Sequence, residues 1–319
     1  MAFTREQALT MGVGDARLAG LVRRGHLTRL RRGVYARTGE DWSRETYVPN
    51  SAAALRQRGP GHVLSHLSAA ALWDLPLPLG RVDTVHLTMT IGAPRTRKAS
   101  RLVVHHADSS DTEVAEVDGI PVTAAARTVA DCLRGFGPRI SVPIADAALH
   151  RRLADIDDIV VQLAMQCHWQ GRPRAEMALW LVDGRRESWL ESYAFVRFTE
   201  WGVDLPEPQV EVFDEAGHFV ARTDAGWLAD GTVLELDGKA KYRLPKNGVV
   251  DPDVVWQHEK ERYDRVGNLG LERVRFGLVD LLRREAAVRR QIAARRRAGS
   301  ISRFSGTFRV TDRSGLTLL

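Results

Sequence analysis

The stretch Thr232-Val233-Leu234-Glu235-Leu236-Asp237 constrains the fold of this chain more than any other segment. Its β-branched and apolar residues favour a strand. Successive strand residues point to opposite faces, so Val233, Glu235 and Asp237 share one face while Leu234 and Leu236 share the other. Carboxylates inside an apolar strand are costly unless a cation or a base satisfies them. Upstream, a helix over Ser188–Glu200 leads into strands at Pro208–Phe213 and His218–Asp224, joined by a turn at Asp214–Gly217. If the strand ending at Asp224 pairs with Thr232–Asp237, Asp224 comes close to Glu235 or Asp237, and Glu191 on the helix can add a carboxylate. Such oxygen clusters bind hard divalent cations, here Mg2+ or Mn2+. A cation so held polarises a phosphodiester and activates water. Lys239, just past the strand, can orient the water or stabilise charge on the phosphate. The same residues also suit an edge strand with its acids in solvent and Lys239 as a salt-bridge partner.

Further along, a charged helix is expected over Trp256–Asn268. Its Arg262 and Arg265 can reach a phosphate or the carboxylates. A short strand at Arg273–Phe276 and a helix from Leu278 follow. The segment Arg289–Arg297 is strongly basic and reads as a tail that is disordered or tracks a nucleic-acid backbone.

Charge singles out the two ends of the chain. Residues 1–40 carry eight arginines against three acids, and residues 283–303 carry eight against one. Basic excess gathered in this way points to a polyanion. At the N-terminus the order is helix, helix, hairpin. Thr4 caps a helix over Arg5–Leu9, with Gln7 completing a capping box. Asp15 caps a second helix whose Leu18, Leu21 and Val22 share one face, and Gly25 ends it. Strands Leu27–Leu30 and Val34–Tyr35 flank Arg31-Arg32-Gly33. This order suits a winged helix, with Arg17, Arg23, Arg24, Arg29, Arg31 and Arg32 as its DNA contacts.

Residues 49–138 read as a separate α+β unit, with a helix at Ser65–Trp73 stopped by Pro76 and Pro78 and strands at Val82–Thr90 and Arg101–His106. A turn at Gly119-Ile120 leads into a strand, and Ala124–Leu133 forms a helix. His62, His66, His86, His105 and His106 fit no zinc-ligand spacing and no cysteine joins them, so a scaffold or interaction role is expected. Residues 139–182 read as helical, a connector packed on the last domain. Cys132 and Cys167, the two cysteines of the chain, are expected to be core or inert thiols in a reducing compartment. No apolar run reaches the ~18 residues that span a bilayer, and the N-terminal residues lack a signal-peptide pattern. A cytoplasmic protein is expected.

Two resemblances follow from these blocks. Over 188–282, SWLES, LPEPQVEVFDEAGHFVARTDAGW, VLELDGKAKY and HEKERYDRVGNLGLERVRF resemble the Vsr-like branch of the PD-(D/E)xK endonuclease superfamily. That resemblance implies a mixed sheet flanked by helices, with Glu191, Asp224 and Glu235 as metal-site acids. The superfamily's lysine would fall at Asp237, so Asp237-Gly238-Lys239 is a second reading of the motif. Residues 3–138, with FTREQALTMGVGDARLAGLVRRGHLTRLRRGVYAR, HLSAAALWDLP and VDGIPVTAAARTVADCL, resemble the bacterial abortive-infection antitoxins. The resemblance implies a regulator that binds its own promoter.

The expected architecture is therefore α+β and multidomain. It comprises a winged helix (1–48), an α+β domain (49–138), a helical connector (139–182), a restriction-endonuclease-like mixed sheet flanked by helices (183–288) and a basic tail (289–319). Two functions fit it. One is a metal-dependent endonuclease or nickase acting on double-stranded DNA through Glu191, Asp224, Glu235, Asp237 and Lys239. The other is a promoter-binding regulator or antitoxin with an inactive nuclease-like domain and a toxin or defence-system protein as partner.

Overall fold

The computed structural model describes residues 2–39, 43–80, 82–90, 97–99, 101–107, 113–237, 265–311 and 317–318. The chain divides into two compact units, Met1–Trp180 and Leu181–Leu319. No described helix is long and apolar enough to cross a membrane.

The first unit opens with β1 (Ala2–Thr4), α1 (Arg5–Thr10), α2 (Asp15–Arg23), β2 (Leu27–Arg31) and β3 (Val34–Arg37). Thr4 and Gln7 form the expected capping box. At the second helix the expectation fails. Gly14 is the cap, and Asp15 is the first helical residue, its carboxylate accepting from Arg5 Nε at 2.6 Å. The ion pair satisfies Asp15 better than the helix amides would. The strands form an antiparallel sheet in the order β1-β3-β2. β1 is not foreseen from sequence, because three residues carry no periodic signal. Ala8, Leu18 and Leu27 bury together beneath it.

There follow α3 (Arg44–Arg58), β4 (His62–Leu64), α4 (His66–Leu72), β5 (Val85–Met89), β6 (Arg97–Ala99), β7 (Leu102–His106), β8 (Val114–Val117), β9 (Ile120–Thr123) and α5 (Ala125–Gly135). The six strands β4 to β9 form one mixed sheet in the order β6-β7-β5-β4-β9-β8. Asp118 and Gly119, at φ 50° and 72°, make the tight turn between β8 and β9. Then come α6 (Pro138–His150), α7 (Ile156–Met165) and α8 (Arg172–Leu179). Read from sequence as a connector, these helices instead pack on α5 inside the first unit. Ile144, Ile159 and Leu163 are buried, as are Ala130 and Leu133 of α5, while Val160, Val161, Met165 and Met177 stay exposed.

The second unit holds α9 (Trp189–Glu200), β10 (Glu207–Phe213), β11 (Phe219–Trp227), β12 (Thr232–Asp237), β13 (Glu272–Gly277), α10 (Leu278–Arg283), α11 (Glu285–Ala298), β14 (Thr307–Thr311) and β15 (Thr317–Leu318). Its sheet runs β13-β12-β11-β10-β14-β15, with β12 and β13 parallel. The bounds of β12 match the sequence reading, but the strand lies inside the sheet, which removes the edge-strand alternative. Leu234 and Leu236 bury against α9, with Phe198 and Trp201. On the other face Val233 packs with Val212, Ala221, Val266 and Leu271.

The disordered reading of the basic segment is corrected. Residues 285–298 are a helix whose Val288 and Ile292, one turn apart, join the core of Phe198, Leu234 and Val274. Arg289, Arg290, Arg295 and Arg297 occupy its exposed side. β14 then pairs antiparallel with β10. Apolar residues spaced four apart are hard to see among arginines, yet they suffice to dock the helix.

Candidate functional site

In the N-terminal sheet the connection after α1 turns on Gly12, at φ 75°. α2 then presents Arg17, Arg23 and, just past its end, Arg24 to solvent. The β2–β3 hairpin presents Arg29 and Arg32, and its turn uses Gly33 at φ 74°. Arg31 differs from its neighbours: its Nε donates to Asn50 Oδ1 of α3 at 2.6 Å, and it is half-buried. It braces the hairpin and does not join the exposed arginines. The Gln57 side-chain amide donates to the Arg32 carbonyl, a second tie from α3 to the turn. Burial lowers the Arg31 pKa from the ordinary arginine value, and the remaining exposed guanidiniums stand around a rigid frame.

The carboxylates of the second unit meet at an interruption in the sheet. β10 and β11 pair at Pro208↔Ala225 and Val210↔Thr223, which sets Gln209 opposite Asp224. Gln209 has φ 53°, a left-handed conformation unusual for a residue with a side chain. Its amide donates to Glu191 Oε2 at 2.7 Å, and the Glu187 N–H donates to the same oxygen at 3.0 Å. Glu191 lies buried on α9, one turn after its cap Ser188. Burial pushes its carboxyl above the usual carboxylate range, and the charge of Asp224 adds to the rise against the hydrogen bonds it accepts.

β11 and β12 pair from Trp227↔Thr232 to Ala225↔Leu234. Past that point Asp224 Oδ2 accepts from the Leu236 N–H at 2.6 Å, so its carboxylate takes the place of a strand carbonyl. Continuing the register sets Asp224 opposite Glu235. The expected approach of Asp224 to β12 is therefore present, and Glu191 faces Asp224 from the helix. Asp237, in the lysine position of the motif, accepts from Arg275 Nη2 at 3.0 Å. Lys239 and Arg262 lie outside the described residues, and Arg265 is exposed at the start of the helical residues 265–268.

Among the described residues one group of three side chains is placed to hold a metal ion, and it is not the carboxylates. His66, His86 and His105 bring ring nitrogens within 4.8 Å of one another. β5 and β7 are parallel, with Thr88 opposite His105. His86 shares the face of Thr88, so His86 and His105 are diagonal neighbours. His86 Nδ1 lies 3.0 Å from His105 Nε2. His66 enters α4 with φ 51° and stacks on His105 at 3.7 Å between ring centroids. The scaffold role expected for these histidines from spacing alone is thus incomplete. Strand register joins residues that no linear motif connects.

Beside the histidines opens a cleft of about 890 Å3, with Arg127, Asp131, Arg134 and Trp169 on its wall. Arg127, 2% exposed, donates to Glu113 Oε1 and, at 3.1 Å, to Asp131 Oδ2. Arg134 donates to Asp131 Oδ1 at 2.6 Å and to Gln166 Oε1 at 2.6 Å. Both guanidiniums stack on Trp169, at 4.9 and 4.8 Å from its ring centre. Arg127 and Asp131 sit within the VDGIPVTAAARTVADCL block at the i,i+4 spacing of a helical ion pair, yet nothing local marks the pair as buried or supplies Glu113 as its partner. Cys132, next in sequence, is buried and its thiol is pushed up by burial. Cys167, expected to be a core or inert thiol, is exposed, because α7 has ended two residues earlier.

Residues 2–38 match the family described as "Transcriptional regulator, AbiEi antitoxin". The N-terminal segment is thus an AbiEi-like domain, and the match does not reach the carboxylate unit. Over 284 residues the chain is 28% identical to Uncharacterized protein MT2308 and to Uncharacterized protein Rv2248, from two strains of Mycobacterium tuberculosis, across 87% of this chain and 97% of each relative. The crystal structure of RV2827C protein from Mycobacterium tuberculosis overlaps 65% of this chain and 78% of that chain at 18% identity, with a TM-score of 0.34. That overlap is too low to draw a shared fold from.

Proposed function

We propose that this protein is a DNA-binding transcriptional regulator of the AbiEi antitoxin kind. One observation carries the reading. On a frame that matches that family over residues 2–38, Arg17, Arg23, Arg24, Arg29 and Arg32 stay exposed, while Arg5 and Arg31 are tied to protein partners. Phosphate contacts from these arginines set affinity and register, and α2 reads the groove. A regulator of this kind also implies a protein partner, the cognate toxin. The test is titration of a labelled duplex from the chain's own upstream region at several salt concentrations. Replacing Arg23 and Arg24 by Ala weakens binding, and the slope of log K against log salt falls by about 0.9 for each phosphate that is no longer neutralised. Unchanged affinity and slope in the double variant would overturn the reading.

A second reading rests on a different observation, the apposition of Glu191 and Asp224 beside the left-handed Gln209. A buried and a half-buried carboxylate in apposition suit a divalent cation, and an all-oxygen donor set fits Mg2+ or Mn2+. Glu191, Asp224 and Glu235 would hold the ion, which would polarise a DNA phosphodiester. Gln209 and the Leu236 amide fix the two carboxylates. Metal-dependent nicking of supercoiled plasmid, lost in Asp224→Ala and Glu235→Ala, supports this endonuclease reading. Absence of nicking, or equal nicking by both variants, sinks it. Retained promoter binding by both variants is what the regulator reading requires.

A further inference from the structure

The three histidines of the first unit are poorly explained as packing. An imidazole in a core must satisfy two ring nitrogens, and here three rings lie face to face. His66 reaches them only by adopting φ 51° at the head of α4. A left-handed backbone at a non-glycine residue is strained and persists where its surroundings fix it. The surroundings do fix it. His66 Nδ1 lies 3.1 Å from Ser65 Oγ and 4.0 Å from Asp131 Oδ2, and Arg127 and Arg134 lock Asp131 in turn. A carboxylate near a histidine, itself held by further hydrogen bonds, is the arrangement that orients imidazoles around a metal.

We infer that His66, His86 and His105 form a binding site for a divalent transition-metal ion of the zinc type, with one coordination position open to the adjoining cleft. The donor set selects the ion. Three imidazoles suit zinc, cobalt, nickel or copper, whereas magnesium and calcium take oxygen. The separation fits as well. Two nitrogens bound at about 2.0–2.1 Å to one tetrahedral zinc stand roughly 3.3 Å apart, and His86 Nδ1 and His105 Nε2 already stand at 3.0 Å. Binding replaces that single contact with two metal bonds, and the stacked rings turn so that their planes meet at the ion. Burial, the mutual charge of the histidines and the nearby arginines hold His66 well below the usual histidine range, and burial holds His86 at about 3.

Three protein ligands leave a fourth position for water or another small ligand. His66 and His105 line the cleft together with Arg127, Arg134 and Arg174. Arg127 and Arg134 are already paired with Glu113 and Asp131, so water is the fourth ligand expected. The site shares no residue with the DNA-binding face or with Glu191, Asp224 and Glu235, so it stands or falls apart from both functional readings.

The test uses the full chain, stripped with chelator and titrated with Co2+ and then Zn2+ as chlorides. Co2+ in a tetrahedral nitrogen site absorbs in the visible, and Zn2+ displaces it. One Co2+ per chain with visible bands is expected, together with a rise in Tm on Zn2+ addition. His86→Ala and His105→Ala reduce affinity at least tenfold, and His218→Ala, an exposed histidine of the second unit, leaves it unchanged. Far-UV circular dichroism confirms that each variant is folded. His105 is only half-buried, so its variant keeps the test open if His86→Ala does not fold. A Co2+ spectrum that is absent, or the same in His105→Ala, overturns the proposal.

Discussion

Replacing Arg127 with Met tests whether the buried ion network holds the first unit together. The side chain is 2% exposed and carries the cationic half of two ion pairs, to Glu113 and Asp131. Glu113 and Asp131 are themselves 4% and 1% exposed. Methionine keeps much of the volume and the packing against Trp169, so cavity formation adds little. What disappears is charge. The cluster of two arginines and two acids is neutral; the variant leaves two buried acids with Arg134, which bonds Asp131. Two hydrogen bonds to charged groups are worth about 1.5–3 kcal/mol each, and breaking one member out of a buried ion pair costs about 3–5 kcal/mol. The expected loss is therefore about 3–5 kcal/mol, a large share of the 5–15 kcal/mol that typically stabilises a domain. Urea unfolding of the full chain, with hydrogen exchange read on α5, measures it. Adding Glu113→Gln to Arg127→Met restores neutrality and recovers more than half the loss. A single variant within about 1 kcal/mol of the parent, at equal m value, would refute the assignment of stability to this network.

Other outcomes follow from features already placed. Ile292→Ala removes a buried side chain from the core of the second unit and lowers its stability by about 2–5 kcal/mol in urea unfolding; an effect near zero would mean that α11 does not dock. Thiol labelling of the native protein modifies Cys167 rapidly and Cys132 only in denaturant, since Cys132 is buried and Cys167 exposed. Burial raises the phenol pKa of Tyr47 above its ordinary value, so the folded state favours the neutral form. Its contribution is complete below about pH 10 and is lost as pH rises further, because the unfolded chain ionises first; alkaline unfolding of Tyr47→Phe shows a shallower pH dependence than the parent.

Much of the framework is legible in the sequence, and what is missing has physical causes. Local chemistry reads well. The Thr4 and Gln7 capping box, the helix after Ser188 and the six residues of β12 fall where propensity and alternation put them. The approach of Asp224 to β12 follows from antiparallel pairing, which short turns enforce. Proximity created by parallel pairing is not legible. His86 and His105 meet because β5 and β7 run in parallel at one register, and nothing local sets that register. The left-handed backbone of Gln209 and His66 is invisible for a related reason: neither residue is glycine, and only the packing around it makes the conformation worthwhile. Arg31 misleads because an arginine in a basic run looks like its neighbours until Asn50, far along the chain, claims it.

The pairing of β10 with β14 has a consequence for how the second unit comes into being. β10 lies between β11 and β14, yet β14 is encoded well after β10 and leaves the ribosome later. Chains are made at about 5–20 residues per second, so β10 waits for several seconds with one row of backbone groups unpaired. Such an edge recruits strands from other chains. The first unit, wholly encoded upstream, has the β9 partner of its own interior strand β4 made well before β14. Shortening the chain at its basic helix, or pulling β14 away with a fused partner, would leave that edge open permanently. Insoluble protein would follow, although every exposed arginine and every histidine of the first unit remained in place.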